Sequence, residues 1–428
     1  MEGLLGKALK LADQADVYAR KSVQHAVSFQ ASKLKDITCS ESEEWTLRLI
    51  KDGRLGAATT SKPGSFDVLL DYAANTVKYG SPVGYSLPGA SALQAPRTFD
   101  PRVKAVTQQE MLDTAADLVS ALNSYDPKIK ALAGVSKTFG SVELTNSAGF
   151  HAAGEVTNWS MYLGGELVSD DGFLSVYDFL YHTDFSAATD EIKTKVIESF
   201  RLAKENVSIK PGQYPVIFAP AEVSCLVGPL LACLNGIGIS RGFSPFKGRI
   251  GELAFDPRFS LIDDALVDGA VGSKGFDREG VPTARRALIE SGKISGYLLD
   301  LQTAHLLNMS PTGNGGGASP VSNNTIVLGG DMSYSEMLAG IDEGVLIENT
   351  MGAWAGNPYG GQVSGNIALG YKIEKGKVVG RIKDCMFSVN VFTDLRDNLA
   401  ALSREQHWRG NTCYPYLQLA NVNISTKS

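Results

Sequence analysis

Residues 214–238 read Y-P-V-I-F-A-P-A-E-V-S-C-L-V-G-P-L-L-A-C-L-N-G-I-G. The run 214–218 is short, apolar and flanked by prolines, which suits a buried strand. Residues 221–234 are apolar almost without interruption, and Asn235-Gly236 is expected to close them as a helix C-cap. A helix apolar nearly all round lies in a large core or at an interface. Glu222 and Ser224 are its polar groups near the start. Pattern alone makes this a core helix following directly on a core strand.

Outward from this stretch, strands and helices mix without regular β-α alternation, which indicates an α+β fold. Toward the N-terminus, residues 2–14 and 66–79 have helical apolar spacing, and residues 16–61 read as strands. Lys51-Asp52-Gly53 marks a hairpin. Residues 80–101, rich in Gly, Pro and Ser, form a long loop. Thr107 to Glu110 is a capping box opening a helix. Strands return over 130–181 with turns at Asn146–Gly149 and at Asp170-Asp171-Gly172, and 191–205 is a charged amphipathic helix. Lys210-Pro211-Gly212 breaks the chain, so two domains are expected, 1–209 and 210–428. In the second, residues 286–290 and 294–298 flank a Ser291-Gly292-Lys293 turn, and 302–308 is a short helix. Ser333 to Glu336 opens another helix through a capping box. Residues 345–348, 362–373 and 377–382 read as strands, 390–402 as a helix and 416–425 as a final strand.

The chain has 428 residues with a net charge of −6, which argues against a nucleic-acid surface, since that favours basic patches. No run approaches the ~18 apolar residues of a membrane span, and the start lacks the basic and apolar regions of a signal peptide. Five scattered cysteines suit reduced thiols and a cytoplasmic setting.

Pro311-Thr312-Gly313-Asn314-Gly315-Gly316-Gly317 reads either as a flexible loop or as backbone amides exposed to grip an extended peptide or an anion. It is not a P-loop, because no Gly-Lys-Ser/Thr follows. Gly236-Ile237-Gly238 with Gly242 imitates a dinucleotide fingerprint poorly. His151 with Glu155 and Asp178 with His182 lie in strand-like segments, where four residues span roughly 13 Å, too far to share a metal. His305 reads as a packing residue. Cys225 sits near a helix start, where a thiolate is favoured, but its neighbours Val223, Leu226 and Val227 are apolar, so a buried inert thiol is expected. Trp354 and Tyr359, among the glycines of 352–365, suit a packed loop or a recognition surface. The low charge of 214–238 and 351–369 suggests a shared interface in a dimer.

Val227-Gly228, Gly251-Glu252-Leu253, the Pro311 to Gly315 run and the Gly356-Asn357-Pro358 loop resemble the PmbA/TldD family, the metallopeptidases once called modulators of DNA gyrase. The resemblance is specific over most of 210–425 and looser before it. In the family's catalytic branch the buried helix carries H-E-x-x-x-H. Here Ser224 stands at the first His, Cys225 at the Glu and Pro229 at the second His, so the chain resembles the TldE (PmbA) branch. The resemblance implies an N-terminal curved sheet with helices and a C-terminal barrel-like mixed sheet with helices. It implies a non-catalytic subunit, without cofactor or metal of its own and without catalytic residues. A catalytic TldD-like partner would supply zinc, and both chains would enclose a cavity for unfolded peptide. Pro311, Thr312, Gly313, Asn314 and Gly315 are then expected to serve architecture or peptide docking. Two alternatives stand: a self-sufficient hydrolase with a displaced metal or a Cys nucleophile, and a homodimeric peptide-binding module.

Overall fold

The computed structural model describes residues 1–62, 64–169, 172–353 and 355–426. The first half begins with α1 (Glu2–Ala8), β1 (Gln14–Gln30), β2 (Lys33–Lys51), β3 (Arg54–Thr60) and α2 (Phe66–Val77). After an irregular segment come α3 (Pro101–Ala105), α4 (Gln108–Tyr125), β4 (Lys130–Asn146), β5 (His151–Ser169), β6 (Gly172–His182) and α5 (Asp190–Leu202). The six strands form one antiparallel sheet in the order β3-β2-β1-β4-β5-β6, curled into a half-barrel. Asp52 and Gly53 turn the β2–β3 hairpin with φ of 50° and 67°, the left-handed pair that a two-residue turn demands. Thr107 and Glu110 make the expected reciprocal capping bonds at the start of α4.

The second half runs β7 (Gly212–Phe218), α6 (Val223–Cys233), α7 (Gly236–Ser240), β8 (Leu261–Asp264), β9 (Arg285–Glu290), β10 (Lys293–Ile294), α8 (Leu301–Leu307) and β11 (Thr325–Val327). It continues with α9 (Tyr334–Ala339), β12 (Glu343–Met351), β13 (Gln362–Glu374), β14 (Lys377–Arg381), β15 (Cys385–Asn390), α10 (Val391–Asp397), β16 (Leu399–Arg409) and β17 (Thr412–Thr426). β17 pairs with β15 on one side and with β7 on the other, so β7, β12, β13, β15 and β17 close into a five-stranded barrel.

Strand alternation divides the barrel residues between two cores. Val216, Phe218, Val345, Ile347, Phe387, Leu417 and Ile424 pack with α6 in one cluster. Ile217, Leu346, Tyr371 and Ile373 point the other way and share a second cluster with Met111 and Leu118 of α4, Val196 and Phe200 of α5, and Trp159 and Leu163 of β5. The Tyr371 hydroxyl donates to the Ser199 carbonyl of α5 at 2.9 Å. The two sheets therefore meet through one continuous apolar layer. Among the described residues, no helix is long and apolar enough to cross a membrane.

Several expectations need correction. Asn235-Gly236 does not cap α6: the Asn235 side chain accepts the Ile237 amide and so starts α7, while Leu234 ends α6 in right-handed geometry. Residues 390–402 are not one helix. Asn390 caps a short α10, and Leu399 then pairs with Leu419 as β16. Residues 9–14 leave the helical path, because α1 ends at Ala8 and β1 already begins at Gln14. The strand expected over 294–298 stops at Ile294, where the amides of Ser295 and Gly296 both turn to the Leu288 carbonyl. The turn residues Asp170 and Asp171, and Trp354, lie outside the described residues.

Candidate functional site around helix α6

α6 forms although Pro229 interrupts its hydrogen-bond ladder, because most of its other side chains are apolar and buried. Val223, Leu226, Val227 and Leu230 are fully enclosed by the barrel cluster. Ser224 alone of the three substituted positions reaches partial exposure, while Cys225 is 2% exposed and Pro229 is buried. Burial, with Glu222 adding to it, pushes the Cys225 thiol well above its ordinary value. It is thus a protonated, poorly nucleophilic sulfur at neutral pH. Burial also raises the Glu222 carboxyl, opposed by the 2.7 Å bond it accepts from the Thr350 hydroxyl of β12.

These residues do not fit a zinc ion. One hydroxyl, one inward-facing thiol and one proline offer neither two imidazoles nor a carboxylate base on a single helix face. His151 and Glu155 lie on β5, and Asp178 and His182 on β6, in extended strands as the sequence suggested. His305 lies on α8, where its ring covers Gly84 so closely that a Cβ there would meet Nε2 at 2.1 Å.

A cleft of about 500 Å³ opens where residues 219–221 lead into α6. α5, β6, β12 and β16 supply its charged walls. Lys195 binds both Glu348 oxygens at 2.8 Å, and Arg409 pairs with Asp178 and donates to the Phe179 carbonyl at 2.7 Å. With Asp190, Glu191 and Glu198 the lining holds five carboxylates and two cations, and Arg201 and Lys193 on the same helix reach Glu198 and Asp190 from outside it. His407 lies edge-on to Tyr416, 5.7 Å between ring centroids, and Tyr334 stacks on the same ring at 4.0 Å. Burial, then Arg409, lowers the His407 pKa and keeps its imidazole neutral. The cleft suits a polar or cationic chain segment. Sequence reasoning did not find it, because its residues are scattered from 178 to 416 and share no local motif.

The 311–317 run is wrapped around buried acids. Asn314 is completely buried, and its amide donates to Asp263 at 2.8 Å and to the Val321 carbonyl at 2.9 Å. Thr312 bonds the Leu299 carbonyl at 3.0 Å, and the Gly315 amide donates to Asp277 at 2.7 Å. A Cβ on Gly315 would meet Glu279 Cγ at 2.6 Å, so the glycine permits this close approach. Gly313 and Gly315 are buried, while Pro311 and Thr312 keep partial exposure. These bonds tie the loop to the neighbouring strands and turns.

Residues 211–426 match the model of the PmbA/TldA metallopeptidase C-terminal domain, and residues 15–78 match that of domain 1 of the same family. An uncharacterized protein of Methanocaldococcus jannaschii is 26% identical, covering 96% of this chain and 97% of its own length. A metalloprotease of Methanothermobacter thermautotrophicus is 22% identical, covering 90% of this chain and 87% of its own. The crystal structure of TldE from Thermococcus kodakarensis superposes with a TM-score of 0.90, at 22% identity, over 99% of both chains, which establishes the fold.

Proposed function

This chain belongs to the PmbA/TldD metallopeptidase family, and on that premise we propose that it is the non-catalytic subunit of a cytoplasmic TldD/TldE-type peptidase. A zinc-bearing H-E-x-x-x-H partner cuts the peptide, and this chain completes the chamber and holds an unfolded substrate. The observation that carries the reading is α6 itself. The helix is retained and largely buried, and the resemblance to the family puts Ser224, the buried Cys225 and Pro229 at its ligand and base positions. The acidic cleft at its entrance supports a role in holding chain segments, which main-chain pairing to a strand edge achieves with little sequence preference. The 311–315 run acts here as a brace of that architecture, with Pro311 and Thr312 its accessible part.

The test is co-expression with an H-E-x-x-x-H relative, followed by light scattering, elemental analysis and a peptidase assay. The expected result is a heteromeric complex whose zinc and activity vanish when the partner's motif is mutated, and an isolated chain without stoichiometric metal. Peptidase activity or a tightly held transition metal in the isolated chain overturns the proposal.

A further inference from the structure

A second cleft, of about 290 Å³, opens between the first sheet and residues 270–278 of the second half. Tyr18 and Arg20 of β1 and Asn158 of β5 form one wall, and Lys274 and Arg278 the other. The Arg278 guanidinium lies 4.3 Å over the Tyr18 ring and reaches Glu44 at 3.2 Å and the Thr46 hydroxyl at 3.3 Å, which fixes its place at the rim. Arg20 is exposed, and neither it nor the Lys274 ammonium has a hydrogen-bond or ion-pair partner among the described residues.

The acids closest to Lys274 are already committed. Asp277, the only carboxylate in the cleft lining, accepts the amides of Glu279, Val281 and Gly315 at 2.7–2.9 Å. Asp263 accepts the Asn323 amide at 2.6 Å and the side chains of Asn314 and Asn323 at 2.8 Å. Lys274 is therefore a half-buried cation near two acids that already accept three hydrogen bonds each, and its ammonium makes no hydrogen bond of its own among the described residues. Burial lowers its pKa, with Asp277 opposing, as expected for an ammonium short of a partner. The cleft lining thus carries three cations and one carboxylate, with Arg278 already paired to Glu44 and Arg20 and Lys274 left to meet an incoming anion. An oxyanion placed there would receive charge-assisted hydrogen bonds from Lys274 and Arg20.

We propose that this cleft is an oxyanion site that takes a phosphate or carboxylate group, with Lys274 as its central contact and Arg20 and Arg278 beside it. The proposal stands whether or not the chain is a peptidase subunit, since it uses none of the α6 residues. Calorimetric titration of the full chain tests it with three probes: inorganic phosphate, a short peptide with a free C-terminal carboxylate, and the same peptide amidated. The expected result is saturable, salt-sensitive binding of phosphate or of the free-acid peptide, and none of the amide. Binding of phosphate alone identifies a free anion as the ligand; binding of the acid peptide alone identifies a chain terminus. Lys274→Met should weaken binding about tenfold or more, and Arg20→Gln, on an exposed side chain with no structural bonds, by a few-fold. Absence of binding at millimolar concentrations overturns the proposal, and so does unchanged affinity in a folded Lys274→Met protein. If Lys274→Met does not fold, unchanged affinity in Arg20→Gln overturns it.

Discussion

Replacing Cys225 with alanine removes a packed sulfur and no chemistry. The variant should lose about 1 kcal/mol of stability, as small buried truncations do, and leave the activity of a reconstituted complex within about twofold. In the native protein iodoacetamide should label Cys39, the one exposed thiol, and spare Cys225, Cys233, Cys385 and Cys413, which are buried; peptide mass mapping reads the pattern, and rapid labelling of Cys225 contradicts it. Glu279 offers a different test. Burial lifts its carboxyl from 4.5 to about 7, against the pull of Arg48. The folded form thus holds its proton more tightly than the unfolded form. Its contribution to stability is greatest below about pH 4.5 and is lost as the pH rises through 7. Urea denaturation should show Glu279→Gln losing less stability than wild type between about pH 5 and pH 8, the gap changing by on the order of 2 kcal/mol. The inertness of Cys225 was legible from its apolar neighbours. The role of Glu279 was not, since its partners Arg48 and Leu301 are distant in sequence.

Elements were legible where the signal is local. The Thr107 and Ser333 capping boxes formed as spaced, each satisfying backbone donors that nothing else reaches. Thr107→Ala should cost about 1 kcal/mol in thermal or urea unfolding, because it removes the cap of an 18-residue helix. The apolar run around Leu399 misled because a short buried strand and a helix share that composition, and only pairing with β17 decides between them. β8 and β11, of four and three residues, carry too little alternation to be recognised. Asn235 has the right side chain for either end of a helix. Its φ and ψ of −75° and 131° place it at a beginning.

The whole molecule is joined by burial that crosses between its sheets. Asp16 and Arg48 sit opposite each other on β1 and β2, and Arg48 continues across to Glu279 at 2.9 Å, all three almost wholly enclosed. Arg48→Met strands two buried carboxylates and should cost about 3 kcal/mol, with both halves melting together in one calorimetric transition. Two separate transitions would show that the shared apolar layer does not couple them. The topology also imposes an order of assembly. The first sheet is made of hairpin neighbours, and only β1 with β4 bridges a long interval. The barrel instead waits for β17, which must pair with β7 about 200 residues earlier, as Leu417 does with Phe218. During synthesis the first sheet can close while β7, β12, β13 and β15 remain an open, sticky curve with two unpaired margins. Nascent chains stalled before residue 412 should therefore stay chaperone-bound through their second half. The step that ends the chaperone's hold would be the docking of a single strand.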